Sequence, residues 1–161
     1  MSVPQNWPIK LQIPGDQSAR DAWDRHLAQN QVPEASIRET CRRLMQSEDF
    51  EQVVALTQAA LKHGQAQTWM YEAMGLALQA GNAPADQVER ALMSAVDLST
   101  SLEDVLFVAL YLSEIGFDQR ALNLHQQMSK AHPLRAEPLL HGLEAAKRLN
   151  DYAGIRWATL G

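Results

Sequence analysis

Residues 71–78 read YEAMGLAL, a stretch in which Tyr71, Gly75 and Leu78 follow one another at steps of four and three residues. This spacing places the three residues on one face of an α-helix. A small residue in the middle of such a face allows a second helix to approach closely. The stretch therefore predicts one helix of a closely packed pair, with Gly75 at the contact.

The same arrangement returns when the sequence is shifted by 34 residues. The columns of this alignment are Ile37, Tyr71, Val105 and Leu139; Cys41, Gly75, Ala109 and Leu143; and Leu44, Leu78, Leu112 and Ala146. The turn column is Glu48, Asn82, Gly116 and Asn150, and a later column holds Val53, Ala121 and Ile155, with Gln87 as its exception. Such a period is the signature of stacked helical units. The predicted units are 34–67, 68–101, 102–135 and an incomplete 136–161.

Short amphipathic helices separated by two to five residues account for the chain from residue 16 onward. They are expected at 17–30, 34–47, 50–63, 67–80, 85–98, 102–115, 118–131, 136–149 and 152–160. Proline stands near several helix starts and glycine just after several helix ends, as at Pro33 and Gly116. No later segment alternates like a strand. We predict an all-α fold, a right-handed helical-hairpin solenoid of about eight or nine helices, with one domain over 16–161.

An N-terminal arm, residues 1–15, precedes the helices. Its segment WPIKLQI, residues 7–13, alternates Trp7, Ile9, Leu11 and Ile13 with other residues, which is typical of an extended segment with one apolar edge. We expect the arm to lie on the helical body. Docking on a partner or on a second copy of the chain, or filling a groove of its own chain, remain alternatives.

The composition limits the possible partners. The chain has 161 residues and a formal net charge of −5, so bulk electrostatics disfavour nucleic acid and anionic membranes. No apolar run approaches the length of about 18 residues that membrane insertion requires. The first residues lack the features of a secretory signal, and the one cysteine excludes an intrachain disulfide. These features favour a cytoplasmic protein.

Candidate chemical sites are few. The sequence contains none of the common phosphate-binding, nucleophile or zinc-protease motifs. Glu137, His141 and Glu144 share a helix face and have the donors for a divalent ion, although a solvated polar face is the favoured interpretation. Cys41 occupies the column of small residues and is expected to be a buried, inert thiol. We therefore expect no cofactor, no metal and no enzymatic activity.

Three arginines, Arg38, Arg42 and Arg43, cluster on one predicted helix. They have the chemistry to contact phosphate or an acidic peptide. At helical spacing they also meet Glu34, Glu39 and Glu48, and pairing with these carboxylates is the favoured interpretation. Nucleic acid is not an expected partner.

These patterns resemble the tetratricopeptide repeat family over residues 34–161. YEAMGLAL is similar to the first-helix motif of that family. The stretch GFDQRALNLHQQMSKAHP, residues 116–133, is similar to the second half of a repeat, with Ala121 at a close contact, His125 at the aromatic position and Pro133 at the end. EDFEQVVALTQAAL, residues 48–61, fits the same half.

The resemblance implies a concave surface lined by fixed positions of each first helix, at which ligands of the family bind. The implied partner-binding residues are Arg38, Arg42, Trp69, Glu72, Leu76, Leu106, Leu110 and Leu140. The lysine and asparagine with which the family holds C-terminal carboxylates are absent from the corresponding positions. An apolar strip stands there instead, which suits an amphipathic helix or an extended apolar segment. Burial of that strip by tight helix packing is the alternative.

The expected function is that of a non-catalytic protein-interaction or scaffold module, with a structural spacer or oligomerisation domain as the alternative. The last helix is apolar, with Ile155, Trp157, Ala158 and Leu160, where a solenoid needs a polar cap. We expect this end to be covered by the rest of a larger polypeptide or by a second copy of the chain.

Overall fold

A computed structural model describes residues 7–8, 10–13, 15, 17–64, 67–99 and 101–160. Within these ranges the chain forms nine α-helices and no strand. In chain order the helices are α1 Ala19–Gln29, α2 Glu34–Gln46, α3 Phe50–Lys62, α4 Thr68–Ala80, α5 Ala85–Leu98, α6 Leu102–Glu114, α7 Asp118–Ala131, α8 Glu137–Leu149 and α9 Tyr152–Leu160. Every helix end lies within about two residues of its predicted place.

The chain divides into two compact units, Met1–Ala95 and Val96–Gly161, so that the division falls within α5. In the first unit α3 packs against α1, α2 and α4. In the second unit α7 packs against α6 and α8, and α8 packs against α9. Consecutive helices thus pack on each other, which confirms the all-α fold class and agrees with a helical-hairpin solenoid.

The turn column of the sequence has one backbone geometry throughout. Its members have positive φ angles, namely 59° at Glu48, 60° at Asn82, 97° at Gly116 and 55° at Asn150. In each turn the following N–H donates to the carbonyl oxygen five residues earlier, over 2.9 Å in Asp49–Leu44, 2.9 Å in Ala83–Leu78, 2.7 Å in Phe117–Leu112 and 2.9 Å in Asp151–Ala146. This bond is the wider one of a Schellman cap. The structure therefore repeats with the 34-residue period of the sequence.

The register of α5 explains why Gln87 breaks its column. Three residues connect α2 to α3, whereas four connect α4 to α5. The buried residues of α5 are accordingly displaced by one position along the repeat. They are Val88, Ala91, Leu92 and Ala95, which follow the buried residues Val53, Leu56, Thr57 and Ala60 at a distance of 35 residues.

Two glycines mark the closest helix contacts, one in each unit. A Cβ atom on Gly75 would lie 2.6 Å from Cδ2 of Leu92, so α4 and α5 meet at this point as the sequence predicts. In α8 the small residue at the contact is Gly142 rather than the position of Leu143, and its Cβ would lie 2.6 Å from the ring of Trp157. Leu143 is half-buried. The contact column is therefore shifted by one residue in α8.

The N-terminal arm lies on the helices of the first unit, as expected. Trp7 is buried, its Nε1 donates to Oγ1 of Thr40 over 2.6 Å, and its ring centre lies 5.3 Å from that of Trp23. The backbone N–H and carbonyl of Leu11 both pair with the side-chain amide of Gln52, at 3.2 and 3.1 Å. These partners are not members of the predicted concave surface. Ile9 falls outside the described residues.

Candidate partner-binding surfaces

In the first unit, predicted concave residues of α2 line one surface. Ala35, Arg38 and Arg42 surround a depression of about 540 Å³ together with Glu34 and Glu39. The helical spacing of these residues brings them to the same face of α2. We call this region, with Trp69, the α2–α4 surface.

The charges of the α2–α4 surface are already paired. Arg42 Nε donates to Oε2 of Glu39 over 2.9 Å, and Arg43 Nε donates to the other carboxylate oxygen over 3.0 Å. Hydrogen bonds from Arg42 and then from Arg43 lower the pKa of Glu39 to about 2. The predicted pairing of the arginines with a neighbouring carboxylate is confirmed for Glu39.

Trp69 joins this surface from the neighbouring helix. Its Nε1 donates a hydrogen bond to Oε1 of Glu34, and the guanidinium carbon of Arg38 lies 5.7 Å from the centre of its ring. That distance is typical of a cation–π contact. Two predicted residues, Arg38 and Trp69, are thus brought together. The other two in this unit, Glu72 and Leu76, lie half-buried on α4.

In the second unit the predicted apolar residues lie on α6 and α8. Leu106 is half-buried, whereas 39% of Leu110 and 61% of Leu140 is exposed. The sequence did not single out Phe107, which is 45% exposed and stacks on Tyr111 with ring centres 6.5 Å apart. We call the set of Leu106, Phe107, Leu110 and Leu140 the α6–α8 surface.

A cavity of about 340 Å³ opens beside this surface. Its walls come from α6, α7 and α8, and its lining residues are Leu110, Ser113, Glu114, His125, His141, Glu144 and Arg148. We call it the α6–α8 cavity. At the first turns of the same helices, Arg135 bonds to Glu103 over 3.3 Å and to Glu137 over 3.0 Å. Residues at predicted concave positions of two successive repeats therefore lie together in this unit.

His125 forms the buried part of the cavity wall. Its side chain is 0% exposed, which confirms that it packs in the position of an aromatic residue. Burial, followed by the charges of His141 and Arg148, lowers its pKa to about 4. The ring centres of His125 and His141 are 5.9 Å apart. Sequence spacing gave no sign of this pair because the two histidines belong to different helices.

Polar atoms at this wall lack partners. Neither ring nitrogen of His125 and not the buried hydroxyl oxygen of Ser113 has a hydrogen-bond partner among the described residues. Buried polar groups of folded proteins are nearly always hydrogen-bonded. The cavity therefore differs from the α2–α4 surface, where the arginines and Trp69 bond to carboxylates.

Cys41 is 3% exposed, and burial raises the pKa of its thiol to about 12. A thiol held in its protonated form by burial is a poor nucleophile. The predicted inert, buried cysteine is confirmed.

Within the described residues, no three histidine, cysteine or acidic side chains are placed to hold a metal ion. Glu137, whose place beside His141 and Glu144 raised that possibility, is bonded to Arg135. No helix of the described chain has the length and apolar character needed to cross a membrane. Comparisons with protein-family models, with curated proteins and with solved structures found no match for this chain.

Proposed function

We propose that this chain is a non-catalytic protein-interaction module that binds a peptide or an amphipathic helix on the α6–α8 surface. The observation that carries this proposal is the exposure of Phe107, Leu110 and Leu140 on two helices that share a cavity wall. Exposed apolar side chains grouped in this way are typical of protein-binding sites. Burying one of them fully contributes about 1.5–3 kcal/mol, so three suffice for a specific complex.

The family proposed for the module is that of tetratricopeptide-like repeats. The recurring cap at Glu48, Asn82, Gly116 and Asn150 supports repeats of 34 residues, the length typical of that family. The close contact at Gly75 supports the same assignment, because the family motif carries glycine at this position. The one-residue insertion before α5 and the shifted contact at Gly142 are departures from strict repeats.

Recognition would follow the helix-in-groove mode. Leu106, Leu110 and Ser113 succeed one another along one face of α6, and Leu140 and Glu144 do so along α8. An amphipathic partner helix presents apolar residues at matching intervals. The ion pairs of Arg135 with Glu103 and Glu137 form a polar border at one end of the surface.

The α2–α4 surface is a second proposed contact. Its apolar members, Trp69 and Leu76, are both half-buried, and its arginines are engaged with Glu39 or with the ring of Trp69. A partner at this surface would have to compete with existing bonds. We therefore assign it a smaller share of the binding free energy than the α6–α8 surface.

The test uses peptides selected from a random display library against the folded chain, with affinity measured by fluorescence anisotropy. Leu110→Glu and Leu140→Glu introduce a charge into the α6–α8 surface, and each should weaken binding by at least about tenfold. Leu134→Glu is the matched control, because Leu134 is 98% exposed in the turn before α8 and should leave affinity unchanged.

Trp69→Ala tests the second surface and should weaken binding by about threefold or less. Circular dichroism verifies that every variant is folded. A chain that selects no peptide, or whose peptides bind the two glutamate variants as tightly as the original, is not an interaction module of this kind. The spacer or oligomerisation function then takes its place.

A further inference from the structure

The α6–α8 cavity has a feature that the docking of an apolar helix does not require. His125 is fully buried, and both of its ring nitrogens lack a partner within the described part of the chain. The buried hydroxyl of Ser113, on the facing wall, is in the same state. Unpaired buried groups are costly, so a fold retains them where something else completes their bonds.

The charges around the cavity select the sign of what enters it. Glu114 and Glu144 contribute two carboxylates to the lining. The guanidinium of Arg148 donates to Oδ1 of Asp118 over 2.8 Å, so its charge is already balanced. Lys147 lies 3.9 Å from Glu144, and both side chains are more than half exposed, which makes that pair weak. The lining therefore favours a cation over an anion.

The available hydrogen-bonding groups fit the same choice. Burial keeps the imidazole of His125 neutral at pH 7, since its pKa is lowered to about 4. A neutral imidazole has one nitrogen that accepts a hydrogen bond, and a serine hydroxyl also accepts one. An ammonium or guanidinium group supplies several donors and no acceptor. Its charge strengthens each bond to a carboxylate.

We propose that the α6–α8 cavity receives the cationic end of a lysine or arginine side chain of the bound peptide. The aliphatic stem of that side chain would lie on Leu110 at the mouth of the cavity. The cation would donate to His125, to Ser113 and to a carboxylate of Glu114 or Glu144. This inference rests on the proposed function, because it names the chemistry of the residue that anchors the partner.

The experiment uses small probes rather than a peptide, so that its outcome does not depend on the apolar contact. Nα-acetyl-lysine methylamide and Nα-acetyl-arginine methylamide are titrated into the ¹⁵N-labelled full chain at pH 7 with EDTA present. Nα-acetyl-norleucine methylamide is the neutral probe of similar length, and Nα-acetyl-glutamate methylamide is the anionic one. Backbone amide shifts of Ser113, His125 and Glu144 report occupation of the cavity.

We expect both basic probes to shift these three amides in a saturable way. Their dissociation constants should be at least about tenfold lower than that of the norleucine probe. His125→Phe and Glu144→Gln should each raise the dissociation constant of the lysine probe by about fivefold or more. Asp97→Asn, which removes the same charge from an exposed site at the end of α5, should leave it unchanged.

Glu144 is exposed, so Glu144→Gln keeps the test valid if His125→Phe does not fold. Equal binding of the norleucine or glutamate probe overturns the inference. Absence of shifts at the cavity overturns it as well, and so do shifts at the same amides produced by ZnCl₂ without EDTA but not by the basic probes. Selected peptides that depend on Leu110 but contain no basic residue would leave the proposed function in place while this inference fails.

Discussion

Thr57 and His125 stand 68 residues apart, at the same position of the second helix in two repeats. Both side chains are 0% exposed. The hydroxyl of Thr57 lies 2.8 Å from the carbonyl oxygen of Val53, to which it donates, one turn earlier in α3. The nitrogens of His125 in α7 have no such partner among the described residues. One backbone framework therefore carries a paired polar group in one unit and an unpaired one in the other.

The contrast extends to the surroundings of each residue. In the first unit Gln52 pairs with Leu11 and Trp23, and Arg42 and Arg43 pair with Glu39. In the second unit Ser113 shares the unpaired state of His125 at the cavity wall. Regular packing alone is compatible with the first arrangement, whereas the second has bonding capacity left for a ligand. The predictions below challenge this difference in order of expected effect.

The largest effect is expected where paired polar groups are disrupted. Gln52→Leu should lower the free energy of unfolding by about 2–4 kcal/mol, because it leaves the buried Nε1 of Trp23 and the backbone of Leu11 without partners. Urea unfolding followed by tryptophan fluorescence measures it. Gln127→Leu, on the exposed side of α7, is the matched control and should change stability by less than about 0.5 kcal/mol. A loss at Gln52 no larger than that of the control would mean that its bonds contribute nothing.

The unpaired group should respond in the opposite direction. The folded-state pKa of His125 is about 4, below its usual 6.5, so the unfolded chain binds this proton first as the pH falls. The protein should therefore lose up to about 3 kcal/mol of stability between pH 6.5 and pH 4 on account of this residue. His125→Phe should remove that loss, while the contributions of the other histidines cancel in the comparison.

Urea midpoints of the two proteins at pH 7 and pH 4.5 provide the measurement. Thr57→Val is the matched variant in the first unit and should leave the pH dependence unchanged. Parallel loss of stability in the original chain and in His125→Phe would show that His125 is not a buried neutral imidazole. Ser113, Glu114, His141, Glu144 and Arg148, which line the same cavity, are unaltered in this comparison.

Glycine contacts test whether the repeats pack equally tightly in both units. Gly142→Ala should cost about 2 kcal/mol, because its Cβ meets the rigid ring of Trp157. Gly75→Ala should cost about 1 kcal/mol, since Leu92 is a flexible side chain and alanine favours the helix. Thermal unfolding of both variants measures the difference. A stabilising Gly75→Ala would show that α4 and α5 are less closely packed than the structure has them.

The smallest effect concerns the turns. Glu48 has the φ angle of 59° that disfavours side chains with a Cβ, whereas Gly116 occupies the equivalent turn with 97°. Glu48→Gly should raise the free energy of unfolding by about 0.5–1 kcal/mol. Gly116→Ala should lower it by about 1 kcal/mol. If both glycine exchanges leave the urea midpoint unchanged, the recurring cap does not contribute to stability.

The sequence predicts the regular features of this chain because the repeat makes them redundant. The turn column at Glu48 and the buried Cys41 each follow from a period that returns four times. One-residue changes of register, as before α5 and at Gly142, escape a fixed period and depend on how each pair of helices meets. The proximity of His125 to His141 and Ser113 escaped it too, since it results from packing between helices. The exposure of Phe107 is of the same kind.

Mapping a selected peptide on the ¹⁵N-labelled full chain tests the central claim most directly, namely that the α6–α8 surface is the binding site. The account predicts that saturating peptide shifts the backbone amides of Leu110, Ser113, His125 and Leu140 most strongly. The amides of Gln52 and Thr57, in the paired region of the first unit, should remain in place. Largest shifts at Arg38 and Trp69, or shifts spread evenly over both units, would contradict it.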